Sequence, residues 1–442
     1  MRIKLLIPLF FLIAAVINAQ EEKVALTLSL EDAQEYALQH NKLIKASRLD
    51  VEVSNMARWE AISGGLPKVE GSASLNDNLK IMTTLLPGEI LGQPGIYVPV
   101  QFGQQFNASY GVQVSQLLFN ASYFVGLQTS RLAQDLSALG LEKSELDTRE
   151  GVAQTYYLIL VTEESLEVLA KNIDNLAEVL KSTEAMYEVG MAESTDVDQM
   201  RSNISMLENS LKSMERNIEV SYNLLRFQLG LDPEAEIELT QSLDEFLEEI
   251  DVNLLTMQNL SLGSNMDYRL IEGQERMNEL GVKMQKSAVL PTLAGFYSYA
   301  ESGMGNKLND LQWFPNSMVG LQLSVPIFAS GERYSKIKKA ELELDKIRTN
   351  KSLVTDQLLM QEKQLKFNLV NAREQFESRK ENIEVAGRVF SSVENKYKQG
   401  MASSLDLTQA HNNYLQAESD YISSLISLLQ NKLALDKLFN QL

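Results

Sequence analysis

A tyrosine, a glycine and an aspartate recur at one spacing in two places. Tyr187, Gly190 and Asp196 form one set; Tyr397, Gly400 and Asp406 form the other, with Gly-Met-Ala and a serine in common. A phenol and a carboxylate on either side of a glycine turn can exchange hydrogen bonds and place a negative charge. An aspartate in a first helical turn is stabilised by about 0.3–1 kcal/mol, so one copy alone is explained as helix chemistry. Repeated around an axis, such carboxylates would form a charged ring. Nothing in the chain pairs a nucleophile with a base. There is no Gly-x-x-x-x-Gly-Lys loop, no His-Glu-x-x-His and no Gly-x-Ser-x-Gly, so neither an enzyme nor a cofactor site is expected. The absence of Cys excludes disulfides, thiolate metal sites and an acylated cysteine. The only histidines, His40 and His411, are far apart and are expected to be structural. A formal net charge of -19 argues against nucleic acid as a partner.

The elements that position these turns are long helices. Before the first turn, Val152, Thr155, Ile159, Thr162, Leu166, Leu169, Ile173, Leu176, Leu180, Thr183 and Tyr187 step by threes and fours. Before the second, Leu365, Leu369, Ala372, Phe376, Arg379, Ile383, Ala386, Phe390, Val393 and Tyr397 do the same. After them, Val197, Ile204, Leu211, Ile218 and Leu225 correspond to Leu407, Tyr414, Tyr421, Leu428 and Leu435. A mean step near 3.5 is the coiled-coil period, so each copy is predicted to be an antiparallel helical hairpin folded back at its glycine. No proline lies between Ala121 and Asp232, or after Pro326. Proline in a helix interior costs about 3 kcal/mol, so its exclusion marks long helices. A helix from Ala121 to Val189 would be about 100 Å long. Arg379, Glu208, Glu418 and Lys432 interrupt the apolar seams, either to set register or to face water.

Residues 1–19 read as a secretory signal: Arg2 and Lys4, then an apolar run from Leu5 to Val16, then Ala19. A helix is predicted from Leu30 to Gly64, with Ser29 as N-cap and Asp32 as its capping-box partner. Beyond Leu66-Pro67 the period changes to two. Val69, Gly71, Ala73 and Leu75 alternate with polar residues, as do Ala108, Tyr110, Val112 and Val114. Residues 78–104 read as a loop. The second half repeats the order: a helix from Met266 to Val289, Leu290-Pro291, then strands through Leu293–Tyr299 and Val319–Val325. The chain thus divides into a signal at 1–19, a first repeat at 20–230, an acidic linker at 231–263 and a second repeat at 264–442.

The fold class is mainly α with a small β part. Four strands of about ten residues are long enough to cross a bilayer when tilted. Four cannot close a barrel, and open edges are not tolerated in lipid, so several chains must pool their strands.

With its signal peptide and two copies of helix, strand pair, very long helix, glycine turn and long helix, the chain resembles the TolC-like outer-membrane efflux channels. The resemblance covers essentially the whole mature chain. It implies a homotrimer with a twelve-stranded barrel in the outer membrane and an α-helical tunnel across the periplasm. The implied partners are outer-membrane lipid, a periplasmic adaptor and an inner-membrane transporter. It places the adaptor contacts at Val189, Gly190 and Met191 and at Gln399, Gly400 and Met401. It places the closed gate at Thr195, Asp196 and Tyr397, with Asp406 as a constricting ring. The hydrogen bonds of that gate are expected to run from Tyr397 to the Thr195–Asp196 turn of the neighbouring hairpin. Two positions depart from the family: Ala402 stands where it has a gate arginine, and Gln409 where it has a second constricting aspartate. The competing reading is a non-channel periplasmic coiled-coil scaffold or adaptor. Adaptors carry one hairpin and many short strands, whereas this chain has two hairpins and spaced strand pairs.

Overall fold

The computed structural model describes residues 26–442 apart from 93, 94 and 249. The predicted signal at 1–19 lies outside the described residues. Two compact units are formed. One takes residues up to 41, 151–250 and 378–426; the other takes 42–150, 251–377 and 427–442. Each therefore draws on both sequence repeats.

The hairpin helices form as their seams demand. Helix α3 spans Ala121–Glu188 and α4 spans Ser194–Leu229; α8 spans Glu332–Lys398 and α9 spans Ser404–Phe439. α3 is continuous over 68 residues and α8 over 67.

The predicted helix from Leu30 to Gly64 is broken once. α1 covers Leu30–His40 and α2 covers Lys42–Ser63. The Ser29–Asp32 capping box is present. Between the two helices Asn41 is extended, and its Nδ2 donates to the Gln228 carbonyl at 2.6 Å. An Asn side chain that binds backbone elsewhere competes with continuation of its own helix. The partner strand of chain comes close here. Gly230 ends α4 at φ 73°, and a Cβ on it would lie 2.5 Å from the His40 carbonyl oxygen. Only glycine satisfies both conditions. In the same unit, strand β1 at Leu26–Leu28 pairs in parallel with β6 at Ile237–Leu239. The Tyr156 hydroxyl donates to the Leu28 carbonyl at 3.0 Å, and the Tyr156 ring meets Phe246 edge-on. Phe246 belongs to the short helix α5 at Leu243–Glu248, which precedes α6 at Val252–Met257. The acidic linker is therefore a strand and two short helices.

The other unit holds the main sheet. β2 at Lys68–Asp77, β5 at Phe106–Phe119, β7 at Thr292–Gly305 and β8 at Gln312–Ser324 pair antiparallel in the order β2-β5-β7-β8. The two repeats are joined directly by the β5–β7 pairing. Residues 78–104 are more than a loop. β3 at Thr83–Pro87 and β4 at Tyr97–Gln101 pair with each other around a short 3-10 turn at Gly88–Leu91. Pro87 and Pro99 sit in this pair, which proline tolerates at sheet edges. The sheet-entry helix of the second repeat, α7, spans Met266–Ser287 and starts under an Asn265 cap.

Candidate functional site: hairpin tips and outward sheet face

Both turns have the geometry their sequence asks for. Gly190 and Gly400 sit at φ 77° and 72°, the left-handed cap that glycine adopts without penalty. Met191 N–H donates to the Met186 carbonyl and Met401 N–H to the Lys396 carbonyl, each at 2.8 Å. These bonds close the end of each descending helix. The ascending helices start with reciprocal caps. Asp196 Oδ2 accepts from Glu193 N–H at 3.0 Å, and Asp406 Oδ2 from Ser403 N–H at 3.0 Å. The Ser403 hydroxyl, then its N–H, hold the Asp406 carboxyl below the usual carboxylate range, so it is ionised at neutral pH.

The turns meet through polar contacts of one chain. Ser404 Oγ donates to Asp196 Oδ1, joining the start of α9 to the start of α4. Tyr397 OH and Thr183 Oγ1 are 2.9 Å apart in a buried setting. Thr183 already donates to the Val179 carbonyl, so the phenol is the donor. Within one chain, Tyr397 thus bonds Thr183 and not the Thr195–Asp196 turn. Thr195 Oγ1 turns back to Glu193 Oε2 at 3.2 Å. The reason is packing: Tyr397 lies in an apolar cluster with Val179, Met200, Phe390, Leu407 and Ala410, and the buried oxygen its phenol reaches there is that of Thr183. Ala402 packs against the same cluster. Gln409 stays on the surface of α9, donating to Asn413.

Val189, Met191, Gln399 and Met401 are exposed, as are Gly190 and Gly400. His411 is buried beside Phe390 with its Nε2 unpaired; burial pushes its pKa down to about 4. Sequence reasoning missed Thr183 and Ser404 as partners. Their only local signal is a polar residue on a seam and a serine shared by both copies.

The sheet faces are equally ordered. Val69, Val114, Tyr297 and Val319 lie side by side across the four strands. The neighbouring row, Glu70, Gln113, Ser298 and Met318, points to the other face. Val112, Leu321 and Leu323 share the face of Val114 and are exposed. Tyr110 and Trp313 stand towards one end of this face, and Tyr299 lies beside Val112 in its middle. The Tyr110 and Trp313 rings are 5.1 Å apart, and both tyrosine hydroxyls donate to Glu301. No helix among the described residues is long and apolar enough to cross a membrane. An exposed apolar sheet face marks a membrane or an interface. β2 and β8 each leave one side unpaired in the sheet order.

Comparison with known proteins gives a consistent picture. The profile of the family described as outer membrane efflux protein matches residues 33–231 and 265–441. The outer membrane protein TolC of Vibrio cholerae is 26% identical over 250 residues, covering 53% of this chain and 54% of TolC. The matched stretch is thus about half of that relative. The pyoverdine export outer membrane protein OpmQ of Pseudomonas aeruginosa is 23% identical, covering 72% of this chain and 68% of OpmQ. The crystal structure of the outer membrane protein VceC from Vibrio cholerae superposes with a TM-score of 0.74 at 15% identity, covering 93% of this chain and 95% of VceC.

Proposed function

Because the chain belongs to the outer membrane efflux protein family, we propose that it is an outer-membrane export duct. Three copies pool their four-stranded sheets into a barrel in the outer membrane. Their hairpins form a tunnel through the periplasm, docked at its tips on a periplasmic adaptor and, through it, on an inner-membrane transporter. The observation that carries this reading is the β2-β5-β7-β8 sheet, with one exposed apolar face and two unsatisfied edges. A sheet like this is stable in lipid only when closed with other copies.

The exposed tips, Val189-Gly190-Met191 and Gln399-Gly400-Met401, are the adaptor contacts in this proposal. Thr195, Asp196 and Tyr397 remain the gate region, with the tie now running from Ser404 to Asp196 and from Tyr397 to Thr183. Asp406, ionised and exposed, forms the constricting ring and makes the pore prefer cations. Gln409 adds no second ring, so trivalent cations block weakly.

The test is assembly. Extracted in mild detergent, the protein is expected to run as a trimer that conducts in planar bilayers. A stable monomer with full strand content would end the proposal.

A further inference from the structure

A second site lies away from the tips, in the unit that holds them. α3, α4 and α9 enclose a groove of about 530 Å³. Its walls mix apolar residues, with Leu158, Leu169, Leu207, Met214 and Ile422 among them, and Ser and Thr hydroxyls that donate to carbonyls of their own helices. Into it faces one carboxylate, Glu418, whose residue is only 8% exposed. Asn172 Nδ2 donates to its Oε2 at 3.1 Å. Among the described residues no Lys, Arg or His nitrogen makes an ion pair with it. A smaller space of about 130 Å³ lies on its other side, where Glu164 of α3 and Tyr414 and Tyr421 of α9 also face it. α4 brings only uncharged residues to the groove, and α8 brings Ile383 to the smaller space.

A buried carboxylate without a cation is costly, and burial pushes Glu418 up to about 7. Glu164 is pushed up as well, by burial and then by Asp244. The site thus lacks positive charge. We propose that this groove binds an apolar molecule bearing a protonated amine, with Glu418 as its counter-ion. The volume falls in the range of small-molecule pockets, and Glu418 is the one charged side chain in the lining. A bare metal cation fits poorly, because it needs several oxygen ligands. No cluster of three or more acidic or histidine ligands exists among the described residues. An ammonium on an apolar body needs one acceptor of charge and apolar surface beside it, which Glu418 and the Leu, Met and Ile side chains of the groove supply.

The experiment uses the full chain, purified in mild detergent, titrated with 1-adamantylamine and with 1-adamantanol of the same shape. Saturable binding of one amine per chain is expected at pH 8, with the alcohol at least about tenfold weaker. Because the acid must be ionised, amine affinity should fall by about tenfold per pH unit below pH 7. Glu418→Gln should flatten that profile and bring the amine down to the alcohol. Ser423→Trp, at the exposed rim, should abolish binding of both while leaving Glu418 in place. No saturable amine binding, equal affinity for the two probes, a pH profile that survives Glu418→Gln, or binding that survives Ser423→Trp would each overturn the proposal. None of these readouts depends on transport, so they stand apart from the test of the duct.

Discussion

Gly190 and Gly400 turn their chains at nearly the same φ and are bonded back at the same spacing. Yet Tyr187 beside the first is 50% exposed, whereas Tyr397 beside the second is 5% exposed. The carboxylates differ as well. Asp196 holds both its own cap and Ser404 of the other hairpin; Asp406 holds its cap only. Duplicated sequence reproduces the turn, because caps and left-handed glycines are decided within a few residues. It does not reproduce the surroundings, which depend on what packs from far along the chain. The second hairpin supplies Phe390, Tyr397, Leu407 and Ala410 of the tip's buried cluster. The first supplies Val179, Met200 and an acceptor for Ser404.

This asymmetry can be broken deliberately. The largest effect is expected at Leu407, which is fully buried in the tip cluster. Leu407→Ala should cost about 2–5 kcal/mol of stability. Met191→Ala, on the exposed first tip, should stay within about 0.5 kcal/mol and weaken adaptor capture instead. Thermal unfolding and a pull-down with a purified adaptor separate the two.

The two faces of the sheet offer the next contrast. Arg at Val112 should cost about 2–4 kcal/mol near the bilayer midplane, and Arg at Gln113 far less. Equal damage in urea titrations of the reconstituted protein would mean that both faces are packed alike.

A smaller difference separates the tyrosines. Tyr397→Phe removes a buried hydrogen bond to Thr183 and should cost about 1 kcal/mol; Tyr187→Phe should cost nothing measurable. A further effect is a pH slope. His411 is held neutral, with its pKa lowered to about 4 against 6.5 when unfolded. The folded state therefore binds fewer protons, and stability should fall as pH drops from 6.5 through 4. His411→Leu should remove that part of the slope, read by chemical denaturation between pH 7 and 4.

Much of this was legible before the fold was seen, for physical reasons. The seams before Tyr187 and Tyr397 keep one period throughout, even across Arg379, and that period makes the helices legible. The period of two in Val69–Leu75 and Ala108–Val114 set both the strands and their faces, and the register keeps those faces aligned. What stayed hidden was decided at a distance. Asn41 breaks a good amphipathic pattern because Gln228 and Gly230 approach it. Thr83–Pro87 and Tyr97–Gln101 are strands too short for periodicity to reveal. Thr183 meets Tyr397, Ser404 meets Asp196 and Asn172 meets Glu418 across gaps of more than two hundred residues. No local pattern announces such pairs. The bonds inside the turns follow this chain's own side chains.

The most direct test of the duct and its tie is single-channel conductance. Wild-type protein and the double variant Asp196→Ala with Tyr397→Phe are compared in planar bilayers at one salt concentration. The variant loses the bond from Ser404 to a carboxylate, about 1.5–3 kcal/mol, and a neutral bond of about 0.5–1.5 kcal/mol in every copy. The account expects a trimer that conducts weakly as wild type and several-fold more strongly as the variant, with barrel stability unchanged. Equal conductance for the two would show that the tip contacts are caps and core only, and no channel activity from the wild-type trimer would contradict the duct itself.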